Sequence, residues 1–245
     1  APIVLFVYNR PWHTSETINS LKQNFLAKKS DLFIFSDGAK TPHQVKNVLE
    51  VRRIIKQVKG FKSVTVIEQK NNIGLASSII NGVTDVINQY QKVIVMEDDM
   101  VTSPHFLSFM NDALHFYEPY EKVMHISGYM YPVDNKNLNN TFFLKLGTCW
   151  GWATWKRAWK HFKKDTDFLI DAFDNKMIYD FNLDDAYDYF AQVKNNKSGK
   201  INTWAIYWYA TIYLQGGLSL HPSSSFVNNI GHDGYGVHCV KSNTF

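Results

Sequence analysis

Cysteine is scarce in this sequence: Cys149 and Cys239 are the two among 245 residues. Two thiols exclude a disulfide framework and an all-cysteine zinc site, and they predict a reducing, cytoplasmic setting. In that setting the Asn139-Asn140-Thr141 sequon is coincidental. No apolar run approaches the ~18 residues that a membrane span needs. The opening Ala1-Pro2-Ile3-Val4-Leu5-Phe6 lacks the basic stretch of a signal peptide and reads as a strand. Charge is modest as well, 20% of residues with a dispersed net charge of +4. That excludes a nucleic-acid-binding surface but suits an anionic ligand. Residues 8–13 contain no glycine, which argues against a glycine-rich phosphate loop in the first turn. No internal repeat and no clean linker is visible.

Aromatic residues, by contrast, are plentiful: 7 Trp, 13 Tyr and 17 Phe, many of them after residue 105. They either fill a bulky core or line a concave site for a flat, ring-shaped ligand. At 45% hydrophobic residues the composition is that of a globular protein. The first hundred residues alternate strand and helix signals. Apolar runs at 3–8, 31–36, 64–67 and 92–96 read as buried strands. Helical spacing follows Pro11 (Ile18, Leu21, Phe25), Thr41-Pro42 (Val45, Val48, Leu49, Ile55) and Gly74 (Leu75, Ile79, Val83, Ile87). All-apolar strands joined by helices predict a mostly parallel α/β sheet with helices on both faces. Ligands of such sheets bind beyond the carboxyl ends of the strands, where Tyr8-Asn9-Arg10, Asp37-Gly38 and Glu97-Asp98-Asp99 fall. Beyond residue 104 the pattern predicts helices at 104–117, 154–162 and 204–214 and strands at 122–127 and 141–146. A tail rich in Gly, Ser, His and Asn follows from Gly216, and its glycines among residues 228–238 suggest a loop that folds over a ligand. The sequence ends at Thr244-Phe245 without a closing element, which predicts a further C-terminal segment.

Three adjacent carboxylates at a strand end repel one another. Either a divalent cation with oxygen ligands offsets them, or they form an acidic loop that caps the helix opened by Ser103-Pro104.

The run Ile3 to Pro11, the Asp37-Gly38 strand end and Val95-Met96-Glu97-Asp98-Asp99 resemble the nucleotide-sugar domain of GT-A glycosyltransferases. Within that fold, Val93 to Phe106 and Gly151-Trp152-Ala153-Thr154-Trp155 resemble the N-acetylglucosaminyltransferase I group. The overall pattern is similar to bacterial family-2-type transferases that build capsules and lipopolysaccharide. The resemblance implies a Rossmann-like GT-A fold with a nucleotide-sugar half over residues 1–103 and an aromatic-rich acceptor half over 104–245, fused in one domain. It implies Mn2+ or Mg2+ held by Asp99 under the donor diphosphate, and Asp98 facing the ribose or sugar. Asp37 would accept from a base N–H, and Tyr8, Asn9 and Arg10 would flank base and ribose. Asn72 would lie in a donor-contacting turn, or in a plain helix entry.

In the second half, Trp150 and Trp152 in the Cys149–Trp152 turn are candidate sugar walls, whereas Trp155 and Trp159 read as core. Cys149 reads as a small buried hydrophobe. His232 and His238, in a glycine-rich tail, are candidate metal ligands or simple surface histidines. The resembled inverting enzymes place a catalytic Asp just after a Trp on a late helix, but here Trp204 is followed by Ala205 and Ile206. Asp185 and Asp188, one turn apart if helical, are the remaining base candidates, or else a solvated helix face. The function so implied is transfer of a sugar from a nucleoside-diphosphate sugar, in the first place a UDP-sugar, to a glycan or lipid-linked glycan hydroxyl in surface polysaccharide synthesis. No nucleic-acid partner and no transmembrane span are expected, only peripheral contact with the inner membrane face. The alternative is a non-catalytic carbohydrate- or nucleotide-binding module on the same scaffold.

Overall fold

A computed structural model describes residues 1–233. Five strands belong to the first half of the chain: β1 (Ile3–Val7), β2 (Asp31–Ser36), β3 (Ser63–Glu68), β4 (Lys92–Glu97) and β5 (Met100–Thr102). They alternate with α1 (Pro11–Lys22), α2 (Val45–Ile55) and α3 (Leu75–Tyr90) and are followed by α4 (Phe106–Phe116). The second half supplies β6 (Val123–Ser127), β7 (Thr141–Leu144), β8 (Trp152–Trp155), β9 (Leu218–Pro222) and β10 (Val227–Asn229). Its helices are α5 (Lys156–Trp159), α6 (Thr166–Ala172), α7 (Asn175–Phe181), α8 (Phe190–Lys197) and α9 (Ala205–Leu214).

Eight strands form one sheet in the order β3-β2-β1-β4-β8-β6-β9-β7, and β5 pairs with β10 in a separate antiparallel ribbon. β3, β2, β1 and β4 are parallel, β8 runs against both β4 and β6, and β9 is parallel to β6. The fold is thus a mostly parallel, Rossmann-like α/β sheet. Side chains on its strands alternate between two cores, as the two-residue strand period requires. Ile3, Leu5, Ile94 and Met96 pack with α1, α2 and α4. Val4, Phe6, Val93 and Val95 pack on the other face with α3, Trp152, Trp159, Trp204 and Trp208. α9 is buried nearly all round because a third cluster, with Phe173, Phe181 and Phe190 of the small helical region, covers its far side.

One sequence expectation is corrected here. The segment from residue 154 is not one long helix. Residues 152–155 form β8 between β4 and β6, and only a short turn of helix, α5, follows. The tail after Gly216 also contains two strands, β9 and β10. No helix among the described residues is long and apolar enough to cross a membrane.

Candidate functional site

The carboxyl ends of β1, β2 and β4 lie side by side because these strands are parallel neighbours, with Phe6 opposite Glu97 and Phe6 opposite Phe35. This register brings Arg10 to the acid cluster. Its Nη2 donates to Asp98 Oδ1 and, at 2.9 Å, to Asp99 Oδ2. The Tyr8 N–H donates to Asp98 Oδ2 at 3.3 Å, and Thr17 of α1 donates to the Asp98 carbonyl at 2.9 Å. Asp98 and Asp99 are buried. Burial, reinforced by Asp99 and Asp98, pushes the Glu97 carboxyl up to about 8. Burial also raises Asp98 against the opposing pull of Arg10. For Arg10, burial disfavours the charge, but Asp98 and Asp99 outweigh it and hold the guanidinium pKa above its usual value. Arg10 is therefore neither a bare surface charge nor free to flank a base; it is the counter-charge of the acid pair.

One oxygen of the cluster has no such partner. Asp99 Oδ1 is buried and accepts no hydrogen bond, and an orphaned carboxylate oxygen is costly unless a cation or donor meets it. The tail closes over it. β10 pairs with β5 directly after the acids, the Ile230 N–H donates to the Asp99 carbonyl at 2.9 Å, and Gly231 lies against the carboxylate. A side chain at Gly231 would overlap Asp99 Oδ2 and come within 2.9 Å of its Cγ, so only glycine permits this approach. Asp233 Oδ2 then reaches His13 Nε2 on α1 at 3.0 Å. Nothing in the sequence reading singled out His13, although its place three residues after Arg10 was a usable signal. His232 is half-buried with its ring edge-on to Trp150, centroids 5.4 Å apart. His238 lies outside the described residues. Among the described residues no three His, Cys, Asp or Glu side chains converge as a metal cage. Asp99 Oδ1 is accordingly the oxygen that fits a cation here, and a hydrated ion bound through one or two carboxylates is ordinary for Mg2+.

Asp37 is placed differently from its expected role. Its Oδ1 accepts from the Gly38 and Ile73 N–H groups at 2.8 and 2.9 Å; its Oδ2 accepts from Asn72 Nδ2 and the Gly74 N–H, both at 2.9 Å. A carboxylate offers about four acceptor positions, and the chain's own donors fill them. Asp37 therefore builds the turn 72–74 at the start of α3 instead of presenting a free acceptor to a base. Asn72 joins the same knot through a 2.8 Å bond to the Gly38 carbonyl. Tyr8 braces the opposite wall, donating to Gln44 Oε1 at 2.7 Å and accepting from the Lys40 N–H at 2.9 Å. Asn9 is half-buried at the same strand end.

Trp152 is not a sugar wall. It is fully buried on β8, stacked with His125 and Trp204 at 5.5 and 5.2 Å between centroids. Trp150, two residues earlier in the loop, is half-buried and edge-on to Tyr129 at 4.4 Å. Trp150, Cys149, Tyr129, Tyr131, Tyr189 and Tyr209 enclose a cavity of about 170 Å³. Ala205 and Ile206 also line it, so the position after Trp204 faces this space without an acid. Asp185 and Asp188 do not share a helix face. Leu183, Asp184 and Asp185 adopt left-handed φ values of 56, 55 and 60°, and Asp185 is exposed. Asp188 Oδ1 accepts from the Ala191 N–H at 2.9 Å and from Asn182 Nδ2 at 3.2 Å, capping α8. The tyrosines of the cavity come from three separate segments, and no local pattern announced them.

No family model matches the sequence, and no curated protein matches it. Solved structures are similar in fold. TarS 1–349 from S. aureus aligns over 96% of this chain and 62% of that chain, with a TM-score of 0.50 and 11% identity. A second S. aureus TarS structure aligns over 51% of this chain and 21% of that chain, with a TM-score of 0.34 and 17% identity. The mannosyltransferase PcManGT from Pyrobaculum calidifontis, in complex with GDP-Man and Mn2+, aligns over 87% and 68%, with a TM-score of 0.47 and 10% identity. The chain spans about three fifths of the length of TarS 1–349. The likeness to TarS 1–349 is one of fold, a mostly parallel, Rossmann-like α/β sheet flanked by helices.

Proposed function

We propose that this chain is a metal-dependent glycosyltransferase that moves a sugar from a nucleoside-diphosphate sugar, in the first place a UDP-sugar, to a hydroxyl of a glycan or lipid-linked glycan. Surface polysaccharide synthesis is the process such an activity would serve. The observation that carries the reading is the buried, unpartnered Asp99 Oδ1 at the carboxyl end of β4, in a GT-A-like fold. Asp99 would hold Mn2+ or Mg2+, which when bound stabilises the charge of a departing diphosphate. Arg10 pairs with both Asp98 and Asp99 in a buried site and holds them together. The Asp37 knot fixes the turn 72–74 and, with Tyr8, shapes the walls between which a nucleoside would sit. Residues 1–103 would bind the donor and residues 104–245 the acceptor.

A non-catalytic sugar- or nucleotide-binding module is the second reading. It is favoured by one observation: Ala205 faces the aromatic cavity where an inverting enzyme would need a base. Hydrolysis of a panel of sugar nucleotides by the purified protein with Mn2+ separates the two. The transferase reading expects slow release of UDP from one donor, abolished in Asp99→Ala together with the Mn2+ dependence of UDP affinity measured by calorimetry. Metal-dependent UDP binding that survives in Asp99→Ala would overturn the assignment of Asp99. Donor binding with no hydrolysis and no transfer would favour the module.

A further inference from the structure

We propose that the cavity walled by Tyr129, Tyr131, Trp150, Tyr189 and Tyr209 is a subsite for one uncharged pyranose ring. Naming that ring as the terminal unit of the acceptor rests on the transferase reading above; the binding chemistry does not.

Four observations converge. The walls are aromatic and drawn from the loops after β6 and before β8, the turn before α8, and α9. The C–H faces of a pyranose stack on such rings, which offer large rigid apolar area with a polar tip. Second, the volume of about 170 Å³ is well below the ~300–1,000 Å³ of sites for drug-sized ligands, so one ring-sized unit is accommodated. Third, the Tyr129 hydroxyl is buried and has no hydrogen-bond partner, a cost that a ligand hydroxyl would remove. Gln192 adds an amide donor and acceptor at the wall. Fourth, among the described residues no Asp, Glu, Lys, Arg or His lines the cavity. Burying a carboxylate or phosphate without a counter-charge is strongly unfavourable, so uronic acids and sugar phosphates are disfavoured. The phenols do not supply charge either: burial pushes Tyr129 up to about 12 and raises Tyr131, Tyr189 and Tyr209. All four are neutral near pH 7, and the Tyr209 hydroxyl is already given to the Phe181 carbonyl at 2.7 Å.

Trp150, His232 and Gly231 link the cavity to the acid cluster. Trp150 touches Tyr129 on the cavity side and His232 on the other, and Gly231, next to His232, lies on Asp99. A ring held here would be beside the place assigned to the donor diphosphate.

The test is saturation-transfer NMR with methyl glycosides of glucose, galactose, mannose and N-acetylglucosamine, against glucuronate and glucose 6-phosphate, each with and without UDP and Mn2+. At least one neutral glycoside should bind, and both anions should not. Tyr189→Ala should weaken that binding about tenfold or more. Gln192→Lys, on the half-exposed face of α8, leaves the fold intact and should admit glucuronate. Absence of any neutral glycoside binding in both conditions, equal binding of glucuronate by the unaltered protein, or indifference to both substitutions would overturn the subsite. Donor hydrolysis without glycoside binding would sink the subsite alone. Glycoside binding without any donor turnover would sink the transferase reading alone.

Discussion

Arg10→Gln removes the one cation that, among the described residues, contacts both aspartates of the acid cluster. The side chains of Asp98 and Asp99 are 5% and 7% exposed, and that of Arg10 is 17% exposed. Water therefore replaces little of what the guanidinium provides. Breaking a buried ion pair by deleting one partner costs about 3–5 kcal/mol, because the other charge stays buried. The lower end applies here, since the guanidinium keeps some solvent contact and the Tyr8 N–H still serves Asp98. With a urea slope of about 2 kcal/mol/M, a loss of ~3 kcal/mol moves the unfolding midpoint down by about 1.5 M. Arg53→Gln is the control: Arg53 pairs with Glu50 on the surface of α2, and its loss should leave the midpoint unchanged. Metal supplies the second half of the test. A ligand at a hundredfold excess over its dissociation constant adds about 2.7 kcal/mol. In Arg10→Gln the competing cation is gone, so Mn2+ should stabilise the variant more than the unaltered protein. Urea titrations with and without Mn2+, followed by tryptophan fluorescence, read both quantities. A midpoint shift no larger than that of Arg53→Gln, or an equal Mn2+ increment in both proteins, would refute the view that Arg10 and a metal share one pair of carboxylates.

Asp37→Asn should cost about 1.5–3 kcal/mol of stability, because an amide nitrogen would then face N–H donors; urea unfolding checks it, and an unchanged midpoint would return Asp37 to a ligand-reading role. Trp152→Ala should cost about 3–5 kcal/mol and leave UDP affinity unchanged, since the ring is core and not wall; a large affinity loss at constant stability would contradict that placement. His125 is fully buried, takes a 3.0 Å bond from Trp208 Nε1 on its Nδ1, and is held well below its usual pKa by burial and by His221. The unfolded chain therefore takes up this proton first, and stability should be full above about pH 6.5 and fall below it. His125→Gln should flatten that acid slope, and an unchanged slope would mean that the acid sensitivity lies elsewhere.

The first half of the fold was legible because its strands are buried on both faces. Runs such as Val93-Ile94-Val95 have no alternation to misread, and proline or glycine marks each helix entry. The Arg10 link was legible too, had strand order been carried one step further: adjacent parallel strands ending in Arg10 and Asp98-Asp99 must bring them together. What failed was long-range. β5 and β10 are three-residue strands paired across more than a hundred residues, and neither has a pattern of its own. Trp155 and Trp159 stand at helical spacing, which drew the segment toward a helix, yet pairing with β4 and β6 makes 152–155 a strand and turns Trp152 inward. Asp188 looked chemical because acids in a cluster do. Its use as a cap depends on where α8 begins, which local composition did not fix.

The two halves of the chain are not two folding units. β8 of the second half inserts between β4 and β6, so the edge of the first-half sheet is completed by the second half. Val93 and Val95 share one core with Trp152, Trp159 and Trp208, and the same α9 that buries Trp208 there turns Tyr209 toward the aromatic cavity. The tail reverses the debt, since β10 needs β5 as its partner and Gly231 needs Asp99 as its floor. Separating the chain near residue 103 would expose two apolar cores and an unpaired sheet edge at once, a loss far larger than the ~5–15 kcal/mol that holds a domain folded. Cooperative unfolding of the whole chain is the consequence. So is a structural one: Trp150, which lines the cavity, and the 230–231 segment, which lies on Asp99, meet through His232 and are held by elements from both halves.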